Sequence, residues 1–127
     1  MADKFQHEPA QPQIRLQGFT HSQHAVLLPR LTRAIDVAGG WVLRRRVLSA
    51  TAVELSIELQ FPALPEIYGA LLGCGLQLTR DSHHALSERC NCSLHMRPRR
   101  GTSSYLLIRL EVHFRPEPIQ PLDPTRP

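Results

Sequence analysis

The sequence predicts an α+β fold in which a single sheet carries its helices on one face. Three observations support that expectation. The run AVELSIELQF alternates apolar Val53, Leu55, Ile57, Leu59 and Phe61 with polar Glu54, Ser56, Glu58 and Gln60, the period of a strand with one wet face. The run LLPRLTRAIDVAGG spaces Leu27, Leu28, Leu31, Ala34, Ile35 and Ala38 by threes and fours, the period of a helix buried along one stripe. A second such stripe, Leu64, Ile67, Tyr68, Leu71 and Leu72, begins beside Pro62 and Pro65.

Taken in order, IRLQGFT at residues 14–20 reads as a first strand. The helix after it ends at Gly39 and Gly40, which tolerate the left-handed backbone of a helix stop. Proline is cheap only in a helix's first turn, where its missing amide hydrogen would have no partner anyway. Pro29 therefore predicts a regular helix starting near Val26, or a distorted first turn. Trp41 to Leu48 then alternate as a strand, and the short link SATA joins them to the 53–61 run as an antiparallel hairpin.

A register with Val47 opposite Val53 and Leu43 opposite Ile57 keeps one shared apolar face. It sets Arg46 opposite Glu54 and Arg44 diagonal to Glu54 and Glu58, a cross-strand charge ladder. Arg45 is the exception, a charge on the face that also carries Leu43 and Val47.

Gly73 to Gly75 stop the second helix, and LQLTR follows as a strand. DSHHALSERC reads as a short helix capped by Asp81 or Ser82. CNCSLHMR alternates Cys90, Cys92, Leu94 and Met96, and SYLLIRLEVHFR alternates Leu106, Ile108, Leu110, Val112 and Phe114. With PRRGTSS as the turn, these two form a second hairpin. The order strand, helix, strand, strand, helix, strand is the ferredoxin-like βαββαβ plan, an antiparallel sheet with helices on one face, plus a C-terminal β-hairpin extension.

A chain of 127 residues suits one domain, placed at residues 14–115. Residues 1–13 and 116–127 are rich in Pro and Gln without periodicity and read as disordered tails. The 14–115 stretch holds thirteen Arg against seven Asp or Glu, a balance of +6, and the only lysine is Lys4. Arginine favours planar, bidentate pairing over diffuse charge. With no long apolar run and an odd count of three cysteines, a cytoplasmic location without membrane contact is expected.

The sequence lacks a nucleophile elbow, a Gly-rich phosphate loop, an HExxH motif and a convincing carboxylate pair, so a non-enzymatic role without a cofactor is expected. Two readings of the arginines compete. One is the charge ladder; the other is a phosphate or nucleic-acid patch built from Arg44, Arg46, Arg97, Arg99 and Arg100. Binding RNA on an open sheet also calls for exposed aromatics, and the polar face of residues 54–60 has none. His83, Cys90, Cys92 and His95 are the ligand types of a metal sensor. However, C-x-C on a strand points both thiols to one side and His95 to the other, so buried thiols with surface histidines compete with that reading.

Thr20, His21, Ser22 and His24 stand at the amino end of the first helix, where amides and the macrodipole attract anions; simple capping is the alternative use. Trp41 could line a pocket beside that loop or pack in a core or interface.

LLPRLTRAIDVAGGWVL, with Leu27, Leu28, Leu31, Ala34, Ile35 and Gly39, resembles the first half of ACT domains. PALPEIYGALLGCGLQLTR resembles their second helix and fourth strand, so the likeness spans residues 14–80. Ala25 and Val26 stand where that family has Pro-Gly, and Trp41 where it often has Asn. The resemblance implies a regulatory module that forms a homodimer and takes a small anionic ligand or a protein partner.

Overall fold

A computed structural model describes residues 12–95 and 105–115 of the chain. The described residues form an α+β fold: strands β1 (Gln13–Thr20), β2 (Gly40–Ser49), β3 (Ala52–Gln60), β4 (Gln77–Leu78) and β5 (Tyr105–Phe114), with helices α1 (His24–Val37), α2 (Leu64–Gly73) and α3 (Arg80–His95). One sheet runs in the order β2-β3-β5-β1-β4. All three helices contribute to one core against one face of it, α1 through Leu27, Leu31 and Ile35, α2 through Leu64, Ile67 and Leu71, α3 through Leu86. Each such fully buried aliphatic side chain contributes roughly 1.5–3 kcal/mol.

The carboxy-terminal third differs from the expected hairpin. Residues 80–95 are one continuous helix, so the predicted strand over CNCSLHMR is helical through His95. The deciding spacing is by fours: Ser82, Leu86 and Cys90 turn one stripe toward the core, which the short alternation of Cys90, Cys92 and Leu94 does not reveal. The cap is Thr79, whose Oγ1 accepts the Ser82 amide at 3.2 Å, not Asp81 or Ser82.

β5 is no peripheral hairpin arm. It lies between β1 and β3, parallel to β1 and antiparallel to β3, which makes the sheet mixed instead of antiparallel. Leu106, Ile108, Leu110, Val112 and Phe114 are all buried, as a strand flanked on both edges and covered on one face requires.

α1 begins at His24 and runs through Pro29, two residues earlier than the proline rule predicts. The amide that Pro29 lacks would have bonded the Ala25 carbonyl; both residues are exposed, so water can serve that group. Gly39 takes φ +100° at the helix stop. Its neighbour Gly40 is required by close approach, because a Cβ there would stand 2.9 Å from Ile67 Cδ1 and 3.2 Å from Ile35 Cγ2.

The β2–β3 hairpin keeps the predicted pairs Val47↔Val53 and Arg46↔Glu54 but not Leu43↔Ile57. Val42 pairs with Ile57 and Arg44 with Ser56, leaving Leu43 as the extra residue of a bulge. A one-residue shift exchanges faces, so Val42 turns to the helix side and Trp41 to the open side.

The short β4 is continued by one further backbone bond and one bond to a side chain. Beyond it the Thr79 amide donates to the Gln17 carbonyl at 3.0 Å, and the Gln17 amide donates to Ser82 Oγ at 2.8 Å. No helix among the described residues is long and apolar enough to cross a membrane. The predicted tails at 1–11 and 116–127 lie outside the described residues, and Gln13, assigned to the first tail, opens β1.

Candidate functional site

The face of the sheet opposite the described helices carries three consecutive rows of side chains, each crossing four strands. The first row is Arg46, Glu54, Glu111 and Gln17; the second is Arg44, Ser56, Arg109 and Arg15; the third is Trp41, Glu58, Leu107 and Gln13. These rows are tertiary objects, assembled from segments distant in sequence.

Carboxylates of the first row are engaged. Arg46 Nη2 lies 3.5 Å from Glu54 Oε1, and Glu111 Oε1 lies 3.1 Å from His113 Nε2. In the second row no described carboxylate lies within ion-pair distance of Arg44, Arg109 or Arg15. Arg15 and Arg109 stand side by side on parallel strands, and the buried Nε–H of Arg109 has no acceptor. Like charges directly opposite one another destabilise a sheet, and an unsatisfied buried donor costs about 1–3 kcal/mol. Both costs fall when an anion lies across the row.

Arg15 and Arg109 line a groove of about 290 Å³ with Gln17, Glu54, Asp81 and Glu111. At strand spacings of ~4.8 Å, the row from Arg44 to Arg15 extends over roughly 14 Å. Beside it, Trp41 meets Tyr105 edge to face with ring centroids 6.0 Å apart. Trp41 remains 38% exposed.

Sequence reasoning places Arg44, Arg46 and Trp41 among candidate residues but misses Arg15, Arg109 and Tyr105. One signal was available: the tripeptide Ile-Arg-Leu occurs at residues 14–16 and again at 108–110, and β1 and β5 align the two copies in register. Of the predicted patch, Arg97, Arg99 and Arg100 lie outside the described residues.

The predicted ligand-binding loop is brought together without Trp41. Thr20 Oγ1 accepts the Ser22 amide at 3.1 Å, and the Thr20 carbonyl accepts the Arg115 amide at 2.8 Å. His21 Nδ1 donates to the Arg115 carbonyl at 2.7 Å, and the His24 ring lies against Phe114 at 3.7 Å between centroids. These contacts fasten the end of β5. Trp41 is level with Gln13, at the opposite end of β1 from Thr20. At ~3.3 Å per residue that is a separation of roughly 23 Å. Trp41 instead contributes to a shallow groove of about 560 Å³ between α1 and the outer edge of β2, with Arg33, Asp36, Val42 and Arg45.

The strand geometry that argued against a metal site does not hold, since residues 90–95 are helical, and the side chains of Cys92 and His95 lie outside those described. His83 Nδ1 is hydrogen-bonded to Tyr68 Oη at 2.6 Å, and no described group of three His, Cys, Asp or Glu could hold an ion. Cys74 is a buried thiol outside any disulfide; burial pushes its pKa up, against a smaller lowering by the Arg30 guanidinium. Burial raises the Cys90 thiol as well.

No protein-family model matches the chain, and neither a curated protein nor a solved structure is significantly similar to it.

Proposed function

We propose that the chain is a non-enzymatic binding module whose open sheet face takes a polyanion. The observation that carries this reading is the row Arg44, Arg109 and Arg15, without described carboxylate partners and with the Arg109 Nε–H buried and unsatisfied. Arginine offers fork-like donors suited to phosphate oxygens, and a row of them across four strands suits an extended ligand better than a single small ion.

Inorganic polyphosphate, which has no bases, tests the reading directly. Titrated into the full chain, it should bind with a logarithmic salt dependence of magnitude about 2, as expected for three phosphate contacts at ~0.7 each. Arg109→Gln should reduce both affinity and slope. Absence of binding at low salt, or binding unchanged in Arg109→Gln, would overturn it.

A second reading has its own observation. β2 is a ten-residue edge strand, with Leu43 53% and Val47 71% exposed. Such an edge favours pairing with a second copy, as an ACT-like module on an enlarged ferredoxin-like plan would do. Arg44, Arg45 and Arg46 oppose this, because a two-fold pairing centred on Arg45 sets Arg44 of one copy against Arg46 of the other. Dimerisation along this edge should therefore strengthen as salt screens the arginines, the opposite sign from polyanion binding. Light scattering across a salt series distinguishes the two; a monomer throughout removes the second.

A further inference from the structure

The geometry points to single-stranded nucleic acid as the polyanion, an inference that rests on the reading above and adds an aromatic requirement to it. Polyphosphate chemistry explains the arginine row but makes no use of the partly exposed Trp41 indole. Trp41 stands one row along from the arginines, and Tyr105, opposite Gln60, stands one row further on the same face. Trp41 pairs across to Glu58, two residues along β3 from Ser56, so the indole's row lies about 7 Å from the arginine row, and Tyr105, four residues along β5 from Arg109, lies about 13 Å from it.

That separation is the order of the distance between a nucleotide's base and its phosphate. A strand lying across the sheet would place phosphates over Arg44, Arg109 and Arg15 and turn bases toward the indole and phenol rings. Unpaired bases present a π-face to an aromatic side chain, whereas a duplex hides its own faces in its stack. The bulge at Leu43 makes the combination possible, because without it Trp41 would share the helix side with Ile57 and Leu59. The Gln60 amide also donates to Tyr105 Oη at 3.4 Å, which braces the ring next to the indole.

The chain has one tryptophan, so its intrinsic fluorescence reports on Trp41 alone. The full chain is titrated with twelve-nucleotide oligouridine, oligothymidine, a DNA duplex of equal length and inorganic polyphosphate. Expected are quenching of the tryptophan by both single strands, affinities above that for the duplex, and no quenching by polyphosphate. Comparing oligouridine with oligothymidine separates RNA from DNA as the source. With affinities read by titration calorimetry, because the variant has no tryptophan, Trp41→Ala should weaken single-strand binding about tenfold, and polyphosphate binding by no more than about twofold if stacking contributes only with bases. Circular dichroism checks that the variant folds, and Trp41→Phe, which keeps an aromatic face, should recover most of the loss.

Equal affinity for duplex and single strand without quenching overturns this inference while the polyanion reading stands. Failure of every probe to bind at low salt overturns both. Quenching that survives Arg109→Gln at full affinity overturns the coupling of the two rows.

Discussion

Arg15 and Arg109 stand directly opposite each other on adjacent parallel strands, each as the centre of an Ile-Arg-Leu tripeptide. Ile14 and Ile108, with Leu16 and Leu110, fix this register through the core on the other face, so the two charges cannot separate by sliding. In the unliganded chain this is a local cost. Arg109→Met removes the repulsion and the unsatisfied donor together, and should leave stability unchanged or raise it by about 1 kcal/mol while binding falls. Urea unfolding beside a polyphosphate titration checks both halves; a clear loss of stability would mean that Arg109 is structural.

The bulge predicts an asymmetry between neighbouring residues of β2. Leu43 is exposed, so Leu43→Gln should change stability by less than about 0.5 kcal/mol. Its expected partner Ile57 is fully buried, and Ile57→Ala should cost about 2–5 kcal/mol through the cavity it leaves. Denaturant midpoints of the two variants measure this. A large loss for Leu43→Gln would restore the unbulged register.

Gly40 is predicted to resist substitution for steric reasons. A methyl group there must displace Ile67 Cδ1 and Ile35 Cγ2 and approaches the Glu58 carbonyl at 3.3 Å. Gly40→Ala should therefore destabilise by about 1–3 kcal/mol, the usual cost of overpacking. Trimming Ile67 to Val in the same chain should recover part of that loss, which thermal melts would detect.

Cys74 gives a prediction with a sign in pH. Burial raises its folded pKa, so the unfolded chain releases the thiol proton at lower pH than the folded chain does. Above the ordinary thiol range of about 8.5 the unfolded state then binds fewer protons, and stability should fall as pH rises. The contribution is fully present below that range. Cys74→Ala should flatten the fall, and peptide mapping after iodoacetamide at neutral pH should find Cys74 unmodified in the native protein.

The helical stripe of Leu27, Leu31 and Ile35, the second stripe of Leu64, Ile67 and Leu71, and the alternation of Val53 to Leu59 are all visible in the sequence and all become core. Each is a local period of 3.6 or 2, and burial of one face enforces it. The predicted pairs Val47↔Val53 and Arg46↔Glu54 lie next to a short turn and needed little more. The segment 90–95 was ambiguous because a few alternating residues fit both periods, until the packing of Leu86 and Cys90 decided it.

By itself the sequence determined that the stripes over residues 27–35 and 64–71 coil, that residues 53–59 extend, and which side of each is apolar, since these follow from spacing along the chain. Only the tertiary structure decided that β5 enters the middle of the sheet, that Arg15 and Arg109 become neighbours, and that Trp41 turns away from the core. Strand order and a one-residue bulge are set by competition among distant surfaces for the same core, and pairing across 94 positions, as between residues 15 and 109, leaves no local period to read.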